Sequence, residues 1–371
     1  MNHEVDELMA AAAEHDRRAI GLLLARDDAE TSSALAARAR DVMASTVGSK
    51  VYYRGLLEFS NICALGCLYC GIRAQNASIT RYTLDEEEIL EAALATAHLG
   101  YGSMTLQSGE RTDRAFTSFV TRTLRRIKRE TTSEALPDGL GITLCVGEQS
   151  TEVYEEFFAA GAHRYLLRME TSSPELFAQI HPTRQRYDSR LRCLRNLKQL
   201  GYQVGTGVMI GIPGQTYEQL ADDVLFFVNE EVDMIGMGPY VPHSETPMGR
   251  GDSDSREERG RRLRLSLRMI ALTRIVSPWV NIAAATALQA IDPLGREKAL
   301  RAGANILMPI VTPTENRADY LLYDNKPCVD EDRVACASCL ATRVASTNRP
   351  VAVNEWGDAP QYGRRLAAQE A

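Results

Sequence analysis

The sequence predicts a (β/α)8 barrel of the α/β class with a helical segment before it and an extension after it. Three observations carry that reading. Beyond residue 50, β-branched runs alternate with longer amphipathic ones, giving eight strand patterns separated by seven helical ones. Several helical patterns close on glycines just past their last turns, at Gly100, Gly161, Gly201 and Gly303. The 371 residues, 44% apolar and 25% charged, suffice for one large core and contain no low-complexity tract.

Taken in order, residues 1–50 read as two helices outside the repeat, packed across the barrel bottom. The barrel spans 51–313, with strands at Val51–Ser60, Ser103–Ser108, Gly141–Val146, Arg164–Thr171, Gln203–Ile212, Met234–Val241, Asn281–Ala287 and Ile306–Val311. Helices fall at Asp85–Leu99, Arg114–Glu130, Thr151–Ala160, Asp188–Leu200, Thr216–Asn229, Arg256–Ile275 and Pro293–Ala302. Residues 314–371 have weaker periodicity and form a C-terminal extension.

Lys and Arg number 42 against 49 Asp and Glu, a net charge of −7, so nucleic acid is not an expected partner. The densest basic stretch, Arg256 to Arg268, interleaves six arginines with leucines and reads as a solvated outer helix. No run reaches the roughly 18–20 apolar residues of a membrane span. The opening Met1-Asn2-His3-Glu4 has no apolar core of a secretory signal, so a cytoplasmic protein with no membrane partner is expected.

Six of the eight cysteines form two trios, while Cys145 and Cys193 stand alone. In a reducing compartment such clusters read as metal ligands rather than disulfides. Cys63, Cys67 and Cys70 form CxxxCxxC at the end of the first strand. Three thiolates fall one short of a structural zinc site. They suit a [4Fe–4S] cluster with one iron left open. The motif, with Tyr69 just before its third cysteine, resembles that of the radical S-adenosylmethionine (SAM) enzymes. The resemblance implies that SAM's amine and carboxylate chelate the open iron and that an electron cleaves the sulfonium to a 5′-deoxyadenosyl radical.

Chemistry in such barrels sits at the C-terminal strand ends. Arg168 and Glu170 lie two apart on strand four and face the interior together. They read either as a buried ion pair or as a guanidinium and carboxylate that hold a zwitterion such as SAM's methionine. Arg190, opening the next helix, adds a second donor. Gly205 and Gly207 lie inside a strand, which argues against a dinucleotide fingerprint and for a ligand lying against the strand.

The runs Arg54–Asn61, Leu106–Glu110, Tyr165–Thr171, Gly211–Thr216, Asp233–Tyr240 and Gly303–Pro309 resemble the [FeFe]-hydrogenase maturase HydE family. That family is similar to biotin synthase and methylornithine synthase. The resemblance implies action on an iron carbonyl–cyanide–cysteine complex during assembly of the hydrogenase H-cluster di-iron subsite. It also implies partnership with other maturases and an electron donor. On it, Cys63, Cys67 and Cys70 hold the cluster, and Ser108, Arg168, Glu170 and Arg190 bind SAM's methionyl end. Tyr69 and Met234 lie near the adenosyl group, and Tyr320 and Tyr323 border the cavity. Thr143, Thr286, Met308 and Tyr323 are candidates for the substrate side. Cys328, Cys336 and Cys339 resemble the cysteines of an auxiliary iron–sulfur cluster that some members carry, though such a trio could also hold zinc.

Two positions depart from the family pattern. Met169 stands where many members have histidine, and alternation points it away from its neighbours. Ala285 stands where relatives often carry the first of two threonines, which leaves Thr286 as the hydroxyl there. A lysine mutase on the same barrel, or an iron–sulfur carrier with no SAM pocket, are the alternative readings.

Overall fold

The computed structural model describes residues 3–252, 254–331 and 333–370, with the backbone alone for 333–336 and 369–370. Its strands are β1 Tyr52–Ser60, β2 Ser103–Ser108, β3 Gly141–Cys145, β4 Arg164–Leu166, β5 Gln203–Thr206, β6 Met209–Ile210, β7 Met234–Ile235, β8 Gly238–Pro239, β9 Asn281–Ile282 and β10 Ile306–Leu307. Eight of them form one parallel sheet in the order β10-β1-β2-β3-β4-β5-β7-β9. A bridge from Ala283 to Ile306 brings the two edges together, so the sheet closes into a nearly complete barrel. The pair β6 and β8 extends β5 and β7 toward the mouth.

The fifth and sixth predicted strands are thus each interrupted. A Cβ on Gly207 would lie 2.0 Å from the Gly236 carbonyl oxygen, so the two backbones meet where only glycine fits. Helices ring the barrel largely where the pattern placed them, most of them opened by a polar cap. Glu86–His98 has a full capping box from Asp85 and Glu88, and Tyr217–Asn229 has one from Thr216 and Gln219. Pro174–Ile180 is an additional helix that the sequence reading left out; its seven residues are too few for a periodic signal.

The residues before the barrel form three helices rather than two: His3–Ala13, Arg17–Ala25 and Ala29–Thr46. Asp16 and Asp28 each accept a hydrogen bond from a backbone N–H three residues on, so each starts a new helix. These helices do not cross the bottom of the barrel. They pack along the outer helices Tyr217–Asn229 and Arg256–Val276. Under that cover the arginine-rich helix is not a solvated face: Arg262 and Arg268 are buried and paired with Asp252 and Asp27.

The barrel bottom is filled instead from the C-terminal extension. Arg164, buried at the start of β4, donates to the Trp356 carbonyl at 2.7 Å and pairs with Asp358. Arg54 donates to the Gly357 carbonyl at 3.0 Å, and Asn281 donates to the same oxygen at 2.9 Å. Arg365 pairs with buried Asp233 at 2.7 Å. Among the described residues no helix is long and apolar enough to cross a membrane.

Candidate active site at the barrel mouth

The cysteine loop leaves β1 at Ser60 and is shaped by polar side chains rather than by secondary structure. Arg81 donates to the carbonyls of Asn61, Ile72, Arg73 and Asn76 at 2.7–2.9 Å. Asn61 donates to the Thr80 and Asp319 carbonyls, both at 2.7 Å, which joins the loop to the C-terminal extension. The end of β2 approaches so closely that a Cβ on Gly109 would lie 2.6 Å from that of Cys63. The backbone N–H groups of Leu65 and Glu110 both donate to Cys63 Sγ at 3.4 Å.

Cys63, Cys67 and Cys70 line one cavity at the mouth, which gives water-molecule centres about 220 Å³ of room. Burial pushes all three thiols up, Cys67 to about 12, so without a metal they are neutral. Among the described residues no three His, Cys, Asp or Glu side chains converge on a single ion. A cube-shaped cluster takes each thiolate on a different iron, so three spaced soft donors on one loop, with N–H groups aimed at sulfur, fit it.

Arg168 and Glu170 face the same cavity, with Nη2 donating to Oε2 at 2.9 Å. The Nε of Arg168 is buried with no partner, a donor left for a ligand. Glu170 adopts φ 68°, a region that costs a non-glycine residue on the order of 1–3 kcal/mol. It is held there because its N–H donates to Gly207 O and its carbonyl accepts from Met209 N, both at 2.9 Å. Met169 points away from its neighbours into the apolar core, as alternation requires.

Arg190 also lines the cavity but is engaged from behind. It donates to Glu148 at 2.9 Å, to the Arg168 carbonyl at 2.9 Å and to Glu110 at 3.4 Å. Burial opposes its charge, but Glu110 and Glu148 outweigh that and raise it. Ser108 lines the cavity with its hydroxyl turned to the Gly109 carbonyl at 2.8 Å. The Tyr69 hydroxyl lies 3.2 Å from Nε2 of His181, whose Nδ1 faces the Phe177 carbonyl at 2.9 Å. Burial lowers His181 to about 3, so the ring is neutral, Nδ1 carries its proton and Tyr69 donates.

The C-terminal extension supplies the cavity's remaining wall. Tyr320 and Tyr323 line it, and the Tyr320 hydroxyl accepts from Gln107 Nε2 at 3.3 Å. Lys326 donates to both oxygens of Glu58 at 2.6 Å and to the Tyr320 carbonyl at 2.9 Å, all within the protein interior.

Four predicted residues fall outside the lining. Met234 begins β7, low in the barrel, and its sulfur accepts from Arg54 instead of facing the mouth. Thr143 is buried one pleat below Cys145, its hydroxyl without a partner. Thr286 is the first residue of the helix Thr286–Ile291, and that turn gives the cavity to Ala285 and Ala287 on either side. Met308, just past β10, is also absent from the wall.

The sequence reading missed Glu110 and Gln185, which stand beside the cysteines, and Cys145, whose thiol burial pushes up to about 11. Glu110 and Cys145 could have been found from their places at strand ends. Of the second trio, Cys328 accepts from Arg296 at 3.8 Å and Cys339 is exposed, while the Cys336 side chain lies outside the described residues.

Comparison with known proteins agrees with this geometry. Residues 57–227 match the model of the radical SAM superfamily. The chain is 39% identical over 344 residues to "[FeFe] hydrogenase maturase subunit HydE" of Thermotoga maritima, covering 93% of this chain and 94% of that one. It is 27% identical over 303 residues to 3-methylornithine synthase of Methanosarcina barkeri, covering 81% of each. A crystal structure of methylornithine synthase superposes with a TM-score of 0.77 at 23% identity, covering 94% of this chain and 98% of that one, which shows a shared fold. The chain is a radical SAM enzyme and belongs to the HydE family.

Proposed function

We propose that this chain is a maturase that cleaves SAM reductively and acts on an iron carbonyl–cyanide–cysteine precursor of the [FeFe]-hydrogenase di-iron subsite. The observation that carries the reading is one cavity in which three thiols of a single loop face a guanidinium–carboxylate pair under a tyrosine-bearing segment. Cys63, Cys67 and Cys70 would hold a [4Fe–4S] cluster, which would supply the electron for breaking the sulfonium.

The chain's own residues bind and aim. Arg168 takes the carboxylate of SAM's methionine and Glu170 its ammonium, so ligand charges replace the pair's mutual contact. Arg190 is held by Glu110 and Glu148, and by donating to the Arg168 carbonyl it fixes the backbone that carries Arg168. Tyr69 sits between the second and third cysteines with its hydroxyl fixed by His181, beside the adenosyl group. Tyr320 and Tyr323 close the cavity against water, so that the radical meets substrate before solvent. The trio Cys328, Cys336 and Cys339 is proposed as an accessory metal site outside the cavity, and cytoplasmic maturases as the chain's partners.

The test is SAM cleavage by anaerobically reconstituted, reduced protein, supplied with the iron complex or with L-lysine. Adenosyl products formed with the iron complex alone support the proposal. Turnover with lysine alone makes the chain a mutase. An intact cluster signal with no SAM cleavage refutes both.

A further inference from the structure

A second concavity adjoins the cysteine loop from outside. Ala64 and Leu65, between the first two cysteines, form one wall with Glu110; Arg111, Arg184, Arg186 and Glu148 line the remainder together with uncharged polar side chains. Ile62, next to Cys63, is a large apolar side chain left exposed.

The charges around it are unequally committed. Glu110 and Glu148 turn inward and are both taken by Arg190. Arg184 and Arg186 are exposed and form no salt bridge among the described residues, and Arg186 caps no backbone group at the helix it precedes. Arg111 pairs only with its near neighbour Asp113. A chain of net charge −7 therefore presents cationic groups around the stretch of surface that covers its cysteine loop.

We infer that this face docks an acidic one-electron carrier protein. Resting on the radical SAM reading, the inference names where the electron enters: the reduced carrier gives up one electron, is itself oxidised by one, and reduces the group held by the three cysteines. Ala64 and Leu65 beside three arginines, with exposed Ile62 next to Cys63, suit a transient complex formed by charge steering. A small anion would use the arginines but not the apolar side chains.

The test uses the cluster-loaded enzyme with an acidic bacterial flavodoxin as probe, comparing Arg184→Glu/Arg186→Glu with a control of equal charge, Arg18→Glu/Arg38→Glu, on the N-terminal helices. Binding is titrated at low and high ionic strength, and cluster reduction is followed by electron paramagnetic resonance with flavodoxin hydroquinone or with dithionite. The docking variant is expected to bind at least about tenfold more weakly at low salt and to be reduced more slowly by flavodoxin, with the control near wild type. Dithionite reduces all three proteins alike. Equal weakening in the control, or unchanged binding in the docking variant, overturns the inference. Loss of dithionite reduction in the docking variant also overturns it, because the substitutions then act on the cluster loop. Because the readouts are binding and reduction, failure of the iron-complex reading leaves this test intact.

Discussion

Lys326→Met breaks a buried ion pair and leaves its partner in place. Glu58 and Lys326 have side chains 2% and 4% exposed and meet through two contacts of 2.6 Å. Removing one member of such a pair typically costs about 3–5 kcal/mol, because the remaining charge is buried alone. Glu58 can escape by taking up a proton. With an unfolded glutamate near pKa 4.3, holding it neutral costs about 4 kcal/mol at pH 7, which caps the penalty. Burial already pushes the Glu58 carboxyl above its ordinary value with Lys326 present. In the variant the folded carboxyl therefore binds its proton more tightly than the unfolded one does. The deficit relative to wild type should be level at low pH and grow, by up to about 1.4 kcal/mol per pH unit, only once pH passes the raised value of Glu58 in the wild type. Urea unfolding of wild type and variant at pH 5 and pH 8 measures this, and Glu58→Gln/Lys326→Met should recover most of the loss. A deficit under about 1 kcal/mol, or one that does not change between the two pH values, would refute the reasoning.

Three further outcomes are expected. Arg168→Ala should weaken SAM binding at least about tenfold by equilibrium titration, with iron content unchanged, since Arg168 lines the cavity and bonds Glu170 rather than a cysteine. Glu170→Gly should relieve the backbone at φ 68° and hold or raise stability by up to about 1 kcal/mol while SAM affinity falls; a clear loss of stability would show the carboxylate to be structural. Asp223, pushed up to about 7 by burial, accepts from the N–H and hydroxyl of Ser172, both at 2.6 Å. Its folded form binds the proton more tightly than the unfolded chain, so wild-type stability should fall as pH rises from about 4 to 7, and Asp223→Asn should flatten that slope in urea unfolding.

The parts of the molecule written in local pattern were legible in advance. β2 and the helix Arg114–Glu130 lie where alternation and a 3.6-residue period put them, and the CxxxCxxC loop sits at the mouth with Arg168 and Glu170. What was missed depends on contacts distant in sequence. The filling of the barrel bottom uses arginines from β1 and β4 against carbonyls some 190–300 residues on, and no period records that. Thr143 was read as functional from its strand and Met234 from the family resemblance, but height within the barrel is set by register between strands, which a single strand does not reveal. Thr286 falls outside the wall because the strand read as Asn281–Ala287 ends at Ile282 and the chain is already helical at Thr286.

The segment after the barrel grips it at both ends: Lys326 anchors the tyrosines over the mouth, and Trp356 to Arg365 fill the base. Assembly therefore has an order. Until that segment arrives, Arg54 and Arg164 lack their carbonyl and carboxylate partners at the base of the barrel, so the eight strands alone form an unfinished vessel. The same sequence of events leaves the cysteine loop open on one side during that interval, since Leu322 and Asp319 are among the groups that later tie it down. Cys63, Cys67 and Cys70 are then covered from fewer sides than in the finished fold. A truncation near residue 314 should yield a chain that is easy to metallate and slow to settle, with its entrance and its floor missing together.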